Sequence, residues 1–143
     1  MMKTRANTAV SAYLILKRDN HVLLSLRQNT GYCDGMWSLV AGHVEEGEPA
    51  TLGMIREARE EIGIEILPSN LQVVHVMHRQ TNRLSIDVFF ECKDWRGEIQ
   101  NLEPEKCARL EFFPLDALPK NIFDYNAKVL KGAGEFYSEW GWV

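Results

Sequence analysis

The chain has 143 residues, 45% of them hydrophobic and 25% charged, with a formal charge of −4. That is the length of one domain and the composition of a globular one, large enough to bury a core without crosslinks. Three scattered cysteines, Cys33, Cys92 and Cys107, exclude a disulfide framework or zinc knuckle and point to a reducing, cytoplasmic setting, while the net negative charge argues against polynucleotide binding.

Lys3 and Arg5 precede an apolar run over residues 9–16. That run is far short of the ~20 residues needed to span a bilayer. Lys17-Arg18 follows where a secretory leader carries small residues, so neither secretion nor membrane insertion is expected. The run reads as a buried strand that turns at Asp19-Asn20 into a second strand over residues 22–27. A loop with Gly31, Asp34 and Gly35 comes next, then a short apolar strand over residues 37–40. Residues 41–48 read as a Gly- and Glu-rich loop. Pro49 suits the first helical position, where its missing N–H costs nothing, and Gly63 is a natural stop. A helix of about fourteen residues is predicted between them. Beyond it, residues 71–80 and 83–92 read as strands joined at Thr81-Asn82, the second rich in β-formers. Residues 110–113 give one more strand, ended by Pro114, and a last helix over residues 126–130 is broken by Gly132 and Gly134. Strands on both sides of a central helix predict an α/β (α+β) layer fold in one domain over residues 1–143.

The acidity is local. Seven glutamates lie between Glu45 and Glu65 against Arg56 and Arg59, a balance of −5, whereas the rest of the chain carries 13 acidic and 14 basic groups. On a helix, Glu57, Glu60 and Glu61 share one face. Gly53 lies one turn earlier on that face and leaves room for an approaching group. Ile55, Ala58 and Ile62 form an opposite stripe suited to packing on a sheet. Like charges at this spacing destabilise a helix by a few tenths of a kcal/mol per pair, and the C-terminal dipole disfavours them further. A divalent cation reverses that sign, because hard ions take carboxylate oxygens together with water and substrate phosphate. The helix alone leaves a cation site and a solvated acidic face, paired with Arg56 and Arg59, equally open.

The preceding loop tips the balance. Residues 42–64 fit G-x5-E-x7-R-E-U-x-E-E-x-G-U, with U aliphatic, through Gly42, Glu48, Arg56, Glu57, Ala58, Glu60, Glu61, Gly63 and Ile64. The stretch resembles the signature of the Nudix hydrolases (MutT-like) at every fixed position, with Ala58 the soft match at an aliphatic site. The resemblance implies an α/β/α sandwich around a central mixed sheet. It also implies hydrolysis of a nucleoside diphosphate linked to a further group, with a (d)NTP or modified NTP favoured here by the small size of the chain. ADP-ribose or a nucleotide sugar is the alternative substrate, and a non-catalytic nucleotide-binding module the alternative role. Where many members have Trp-x-Leu-Pro-Gly-Gly, this chain has Trp37-Ser38-Leu39-Val40-Ala41-Gly42, a departure that bears on specificity more than on catalysis.

By the same resemblance, Glu57, Glu60 and Glu61 with the Gly42 carbonyl bind Mg²⁺, or Mn²⁺ in its place. Glu57 or Glu60 takes the proton of the attacking water, unless a distal loop residue, Glu103 or Glu105, does so. Arg56 is expected to hold Glu48 or a helix carboxylate through its planar fork, with phosphate contact the competing role. His43, inside the motif, and Asn121, after Pro119, are candidate substrate contacts, with Asp124 and Asn126 beside the latter. His21, His75 and His78 form no ligand set. Trp37 is expected to pack beneath the motif loop, and Trp140 and Trp142 either stack a base or dock the terminus. The expected partner is a small nucleotide, and dimers are common among such enzymes.

Overall fold

The computed structural model describes residues 3–132 and 134–143. Strand β1 (Ala9–Arg18) is buried along most of its length. Its Ala12, Leu14 and Leu16 face one apolar cluster, and its Tyr13 and Ile15 face another. A strand covered on both faces needs a continuous apolar run, which is how its sequence reads. Asp19 and Asn20 both adopt positive φ, 48° and 61°, the conformation of a tight hairpin turn into β2 (His21–Arg27).

After β3 (Trp37–Ser38), β4 (Val40–His43) pairs antiparallel with residues 11–14 of β1. Helix α1 (Ala50–Ile62) and a short 3₁₀ turn (Pro68–Asn70) lead to β5 (Leu71–Gln80) and β6 (Leu84–Cys92). β6 runs parallel to β1 and antiparallel to β5. β7 (Cys107–Pro114) lies antiparallel to β2. Helix α2 (Asp124–Lys131) is followed by β8 (Tyr137–Trp140), parallel to β5. The main sheet therefore reads β4–β1–β6–β5–β8, and β2 carries β3 and β7 away from it, touching β1 only at Lys17 and Arg18. Met54, Ile55, Ala58 and Ile62 of α1 pack on Ala12, Leu14 and Phe90. Tyr125 of α2, with Phe123 before it, packs on Tyr13, Ile15 and Phe89. The mixed sheet is thus sandwiched between two helices, as the resemblance implies.

Four expectations are corrected. Pro49 stands before the helix with extended backbone (φ −74°, ψ 158°), and Ala50 is the first helical residue. Residues 40–43 are strand rather than loop from residue 41, because β1 offers them an unpaired edge. The last helix begins at Asp124, whose carboxylate favours the positive end of the dipole, and β7 begins at Cys107, before residue 110. β8 was not foreseen: only Ser138 of its four residues is buried, so it has no apolar alternation to read. It is tied to β5 by His75, whose Nδ1–H donates to the Glu135 carbonyl at 2.8 Å and whose Nε2 accepts from the Ser138 hydroxyl at 2.7 Å. Among the described residues no helix is long and apolar enough to cross a membrane.

Candidate metal and nucleotide site

The C-terminal turns of α1 are organised by one guanidinium. Arg56 forks onto Glu48 through Nε (3.1 and 3.2 Å) and Nη2 (2.8 Å). Its Nη1 donates to Glu57 at 3.0 Å and Glu60 at 3.1 Å, and Nη2 also reaches the His43 carbonyl at 3.0 Å. Four points on the loop, strand and helix are thereby fixed by a planar five-donor group. Hydrogen bonds from Arg56 hold the Glu48 carboxyl below the usual carboxylate range. The room at Gly53 is not open to a ligand: a Cβ there would lie 2.9 Å from Glu48 Oε1 and 3.3 Å from the Val44 side chain. The approaching group is the motif's own glutamate.

Gly42 has a different necessity. A Cβ at this position would overlap the Glu57 carboxyl group, so only glycine lets that carboxylate lie against the β4 backbone. The carboxyl group of half-buried Glu61 has no hydrogen-bond or ion-pair partner among the described residues. Burial, then Glu57, Glu103 and Glu60, push its carboxyl up to about 9. Burial also raises Glu57, against the pull of Arg56. Four carboxylates therefore share a neighbourhood in which Arg56 neutralises only some of them. Among the described residues no cluster of three ligating side chains is closed around a single point, with Glu57 and Glu60 engaged by Arg56. The donor chemistry is all oxygen, and Glu61 as an unpartnered acid is the kind of group a hard divalent cation would ionise, so the residues fit Mg²⁺ or Mn²⁺.

A cleft of about 450 Å³ opens beside Gly42, His43 and Glu61. Arg27 and Tyr32 form one wall, with Asn101, Glu103 and Lys106 from the loop before β7. Arg79, Asn82 and Arg83 from the β5–β6 hairpin form another, and Phe123 and Tyr125 close the end. Arg27 Nε–H donates to the Tyr32 carbonyl at 3.0 Å, and its guanidinium lies 5.8 Å and 5.5 Å from the Tyr32 and Phe123 ring centres. Arg83 Nη1–H donates to His43 Nε2 at 3.0 Å. Burial, then the Arg83 charge, lower the His43 pKa, which keeps the ring neutral and accepting. Cationic walls thus face an acidic helix end across one cavity.

Of the residues singled out in the sequence, Gly42, His43 and Glu61 line this cleft, and Arg56, Glu57 and Glu60 adjoin it. Glu103 also lines it, whereas Glu105 does not. Asn121 lies outside: its Nδ2–H donates to the Gly35 carbonyl at 2.8 Å and its own carbonyl accepts from Trp37 N–H at 2.9 Å. Asn126 is fully buried and accepts from Leu39 N–H at 2.9 Å. Trp142 donates to the His78 carbonyl and tilts over the His78 ring at 4.7 Å, away from the cleft. Sequence reasoning missed Arg27, Arg79, Arg83 and Lys106. The only available signal was a basic residue at a strand end or hairpin tip, which many surface positions share.

The NUDIX domain model matches residues 6–132. The chain is 35% identical to an ADP-ribose pyrophosphatase of Methanocaldococcus jannaschii over 124 residues, 86% of this chain and 71% of that protein. It is 26% identical to an 8-oxo-dGTP diphosphatase of Proteus vulgaris over 98 residues, 68% of this chain and 87% of that one. The crystal structure of a MutT NUDIX hydrolase from Burkholderia pseudomallei shares the fold, with a TM-score of 0.80 and 24% identity over 87% of this chain and 97% of that chain.

Proposed function

The chain belongs to the Nudix hydrolases, enzymes acting on nucleotide anhydrides, and on that premise we propose that it hydrolyses a nucleoside triphosphate, normal or oxidised, to the monophosphate and pyrophosphate with Mg²⁺ or Mn²⁺. The observation that carries this reading is the single cleft in which the acidic helix end meets cationic and aromatic walls. Bound at Glu57, Glu60, Glu61 and the Gly42 carbonyl, the cation supplies charge neutralisation at the phosphates and a more acidic water. Arg27 and Lys106 hold phosphate oxygens from one side and Arg83 from the other. Arg56 keeps Glu57 and Glu60 in register through its two Nη1 hydrogen bonds. Glu57, whose carboxyl burial raises, accepts the water's proton, with Glu103, half-buried and without an ion pair among the described residues, the second candidate. Tyr32 and Phe123 offer ring faces to a base.

The test is product analysis across nucleoside triphosphates with Mg²⁺. Glu60→Gln is expected to lower kcat by about a hundredfold or more while the fold persists by circular dichroism. Full Mg²⁺-dependent turnover in that variant would remove Glu60 from the site. Hydrolysis of ADP-ribose is a second reading, favoured by the archaeal relative and by the hydroxyl and amide groups of Asn29, Thr30 and Asn101 on one wall. The same panel separates the two by which substrate has the higher kcat/KM.

A further inference from the structure

The floor of the cleft contains a polar assembly that hydrolysis does not use. Arg79 and Asp87 are 4% and 0% exposed. They pair through two contacts, Nε to Oδ2 at 2.6 Å and Nη2 to Oδ1 at 3.2 Å. Ser85 Oγ–H donates to Asp87 at 2.7 Å, and Ser11 Oγ lies 3.2 Å from Ser85 Oγ. Arg79 Nη1 is taken by Thr81 Oγ1 at 2.5 Å, with Asn82 Oδ1 at 3.4 Å. Its guanidinium stacks 4.5 Å over the Tyr125 ring, and Nη2 makes a long 3.4 Å bond to the Tyr13 hydroxyl. Tyr13, Arg79 and Tyr125 line the cleft, but Asp87 and Ser85 lie behind them and do not.

A buried ion pair of this kind is seldom more stabilising than an apolar pair of the same volume, so stability is a weak reason for its presence beneath a cleft. Its directionality is informative. Arg79 has only donors, so the Tyr13 oxygen accepts from it, which leaves the Tyr13 hydroxyl proton for another acceptor, either the neighbouring Tyr125 hydroxyl or a group in the cavity. The carboxylate beneath the floor, Asp87, is sealed from the cleft and occupied by three donors, so it is not available to an incoming amino group. Burial, then Asp87, push the Tyr13 phenol up to about 12, and burial likewise raises Tyr125, so both hydroxyls keep their protons at neutral pH. The Tyr13 ring is stacked on Phe89 at 4.7 Å, which fixes where the phenol oxygen lies.

We propose that Tyr13, oriented by the buried Arg79–Asp87 pair, is a specificity-determining residue that donates a hydrogen bond to the base of the bound nucleotide and selects an oxo group over an amino group. The inference rests on the nucleotide hydrolase reading and names the substrate class within it. Anhydride chemistry sits on the α1 side of β4, and the base reaches the Tyr13 side of the same strand. An amino group there meets a donor where an oxo group would accept, and a mismatch of one buried hydrogen bond changes selectivity by about tenfold.

The test compares kcat/KM for inosine and adenosine triphosphates, and for uridine and cytidine triphosphates, each pair differing by oxo against amino at one ring position. The wild-type protein is expected to favour the oxo member by about tenfold or more, and Tyr13→Phe, which keeps the ring stack, to bring the ratio within about threefold at an unchanged Tm. Binding of the corresponding α,β-methylene triphosphates, followed by calorimetry, reads the same preference without turnover and applies to the wild-type protein even if the variant fails to fold. Equal use of both members by the wild-type protein, or an unchanged ratio in a folded Tyr13→Phe, overturns the proposal. Hydrolysis without preference overturns it while the hydrolase reading stands. An oxo preference in binding that Tyr13→Phe removes, with no nucleotide hydrolysed, supports it and removes the hydrolase reading.

Discussion

At Gly42 the absence of a side chain lets the Glu57 carboxylate rest on the β4 backbone, and at Arg56 five donors reach three carboxylates and a carbonyl. The two positions make opposite predictions about substitution. In Gly42→Ala the new methyl displaces the mobile end of Glu57 rather than any backbone, so Tm is expected to change little while kcat falls by about tenfold to a hundredfold. Arg56→Lys retains the charge but loses the fork, and a single ammonium cannot hold Glu48, Glu57 and Glu60 together. Turnover and apparent Mg²⁺ affinity are both expected to drop by about tenfold to a hundredfold. A titration of activity against Mg²⁺ checks this, and unchanged affinity would assign Arg56 to the fold alone.

At the scale of the element, α1 depends on its ending. Gly63 sits at φ 71° and returns its N–H to the Arg59 carbonyl, closing the last turn. Gly63→Ala is expected to cost about 1–2 kcal/mol, measured by urea unfolding, because an L-residue in that conformation is strained. Most of the acidic half of the candidate site was legible in the sequence because Glu57, Glu60 and Glu61 lie within residues 42–64, where helical spacing alone sets which side chains meet, whereas Glu103 joins them from the loop before β7. The cationic half was not. Arg27, Arg79 and Arg83 come from β2, β5 and the β5–β6 turn, and they face one cavity only because the sheet's long-range pairings bring them there. The central strands were readable from apolar runs, whereas β8 depends on its partner β5 and on two buried polar groups, His75 and Ser138, which carry no strand signal. Asn121 shows the converse: a plausible polar side chain after a proline that the fold uses to tie Gly35 to β3.

For the whole molecule, the crowding of Glu61 couples stability to pH and to the cation. Its carboxyl is pushed up to about 9 in the folded protein, against about 4.3 for an unfolded glutamate. Between those values the metal-free folded state holds a proton that the unfolded state lacks, so this group's contribution to stability falls as pH rises through the window. If Glu61 is a ligand as proposed, Mg²⁺ must expel that proton to bind, and its stabilising effect is expected to be larger at about pH 8.5 than at about pH 6. Thermal melts with and without MgCl₂ at both pH values check the sign, and a greater shift at the lower pH would show that Glu61 is not a ligand.

Strand β4 is four residues long, yet it stands between two tasks. Its ladder sets Gly42 opposite Ala12 and His43 opposite Ser11, so neighbouring residues serve opposite sides of the sheet. A slip of one place would swing the imidazole toward the carboxylates and strand the glycine beside Tyr13. If Tyr13 selects the base and Gly42 backs the cation site as proposed, whether the nucleotide that is chosen is also the one that is cut depends on the registration of a single short edge.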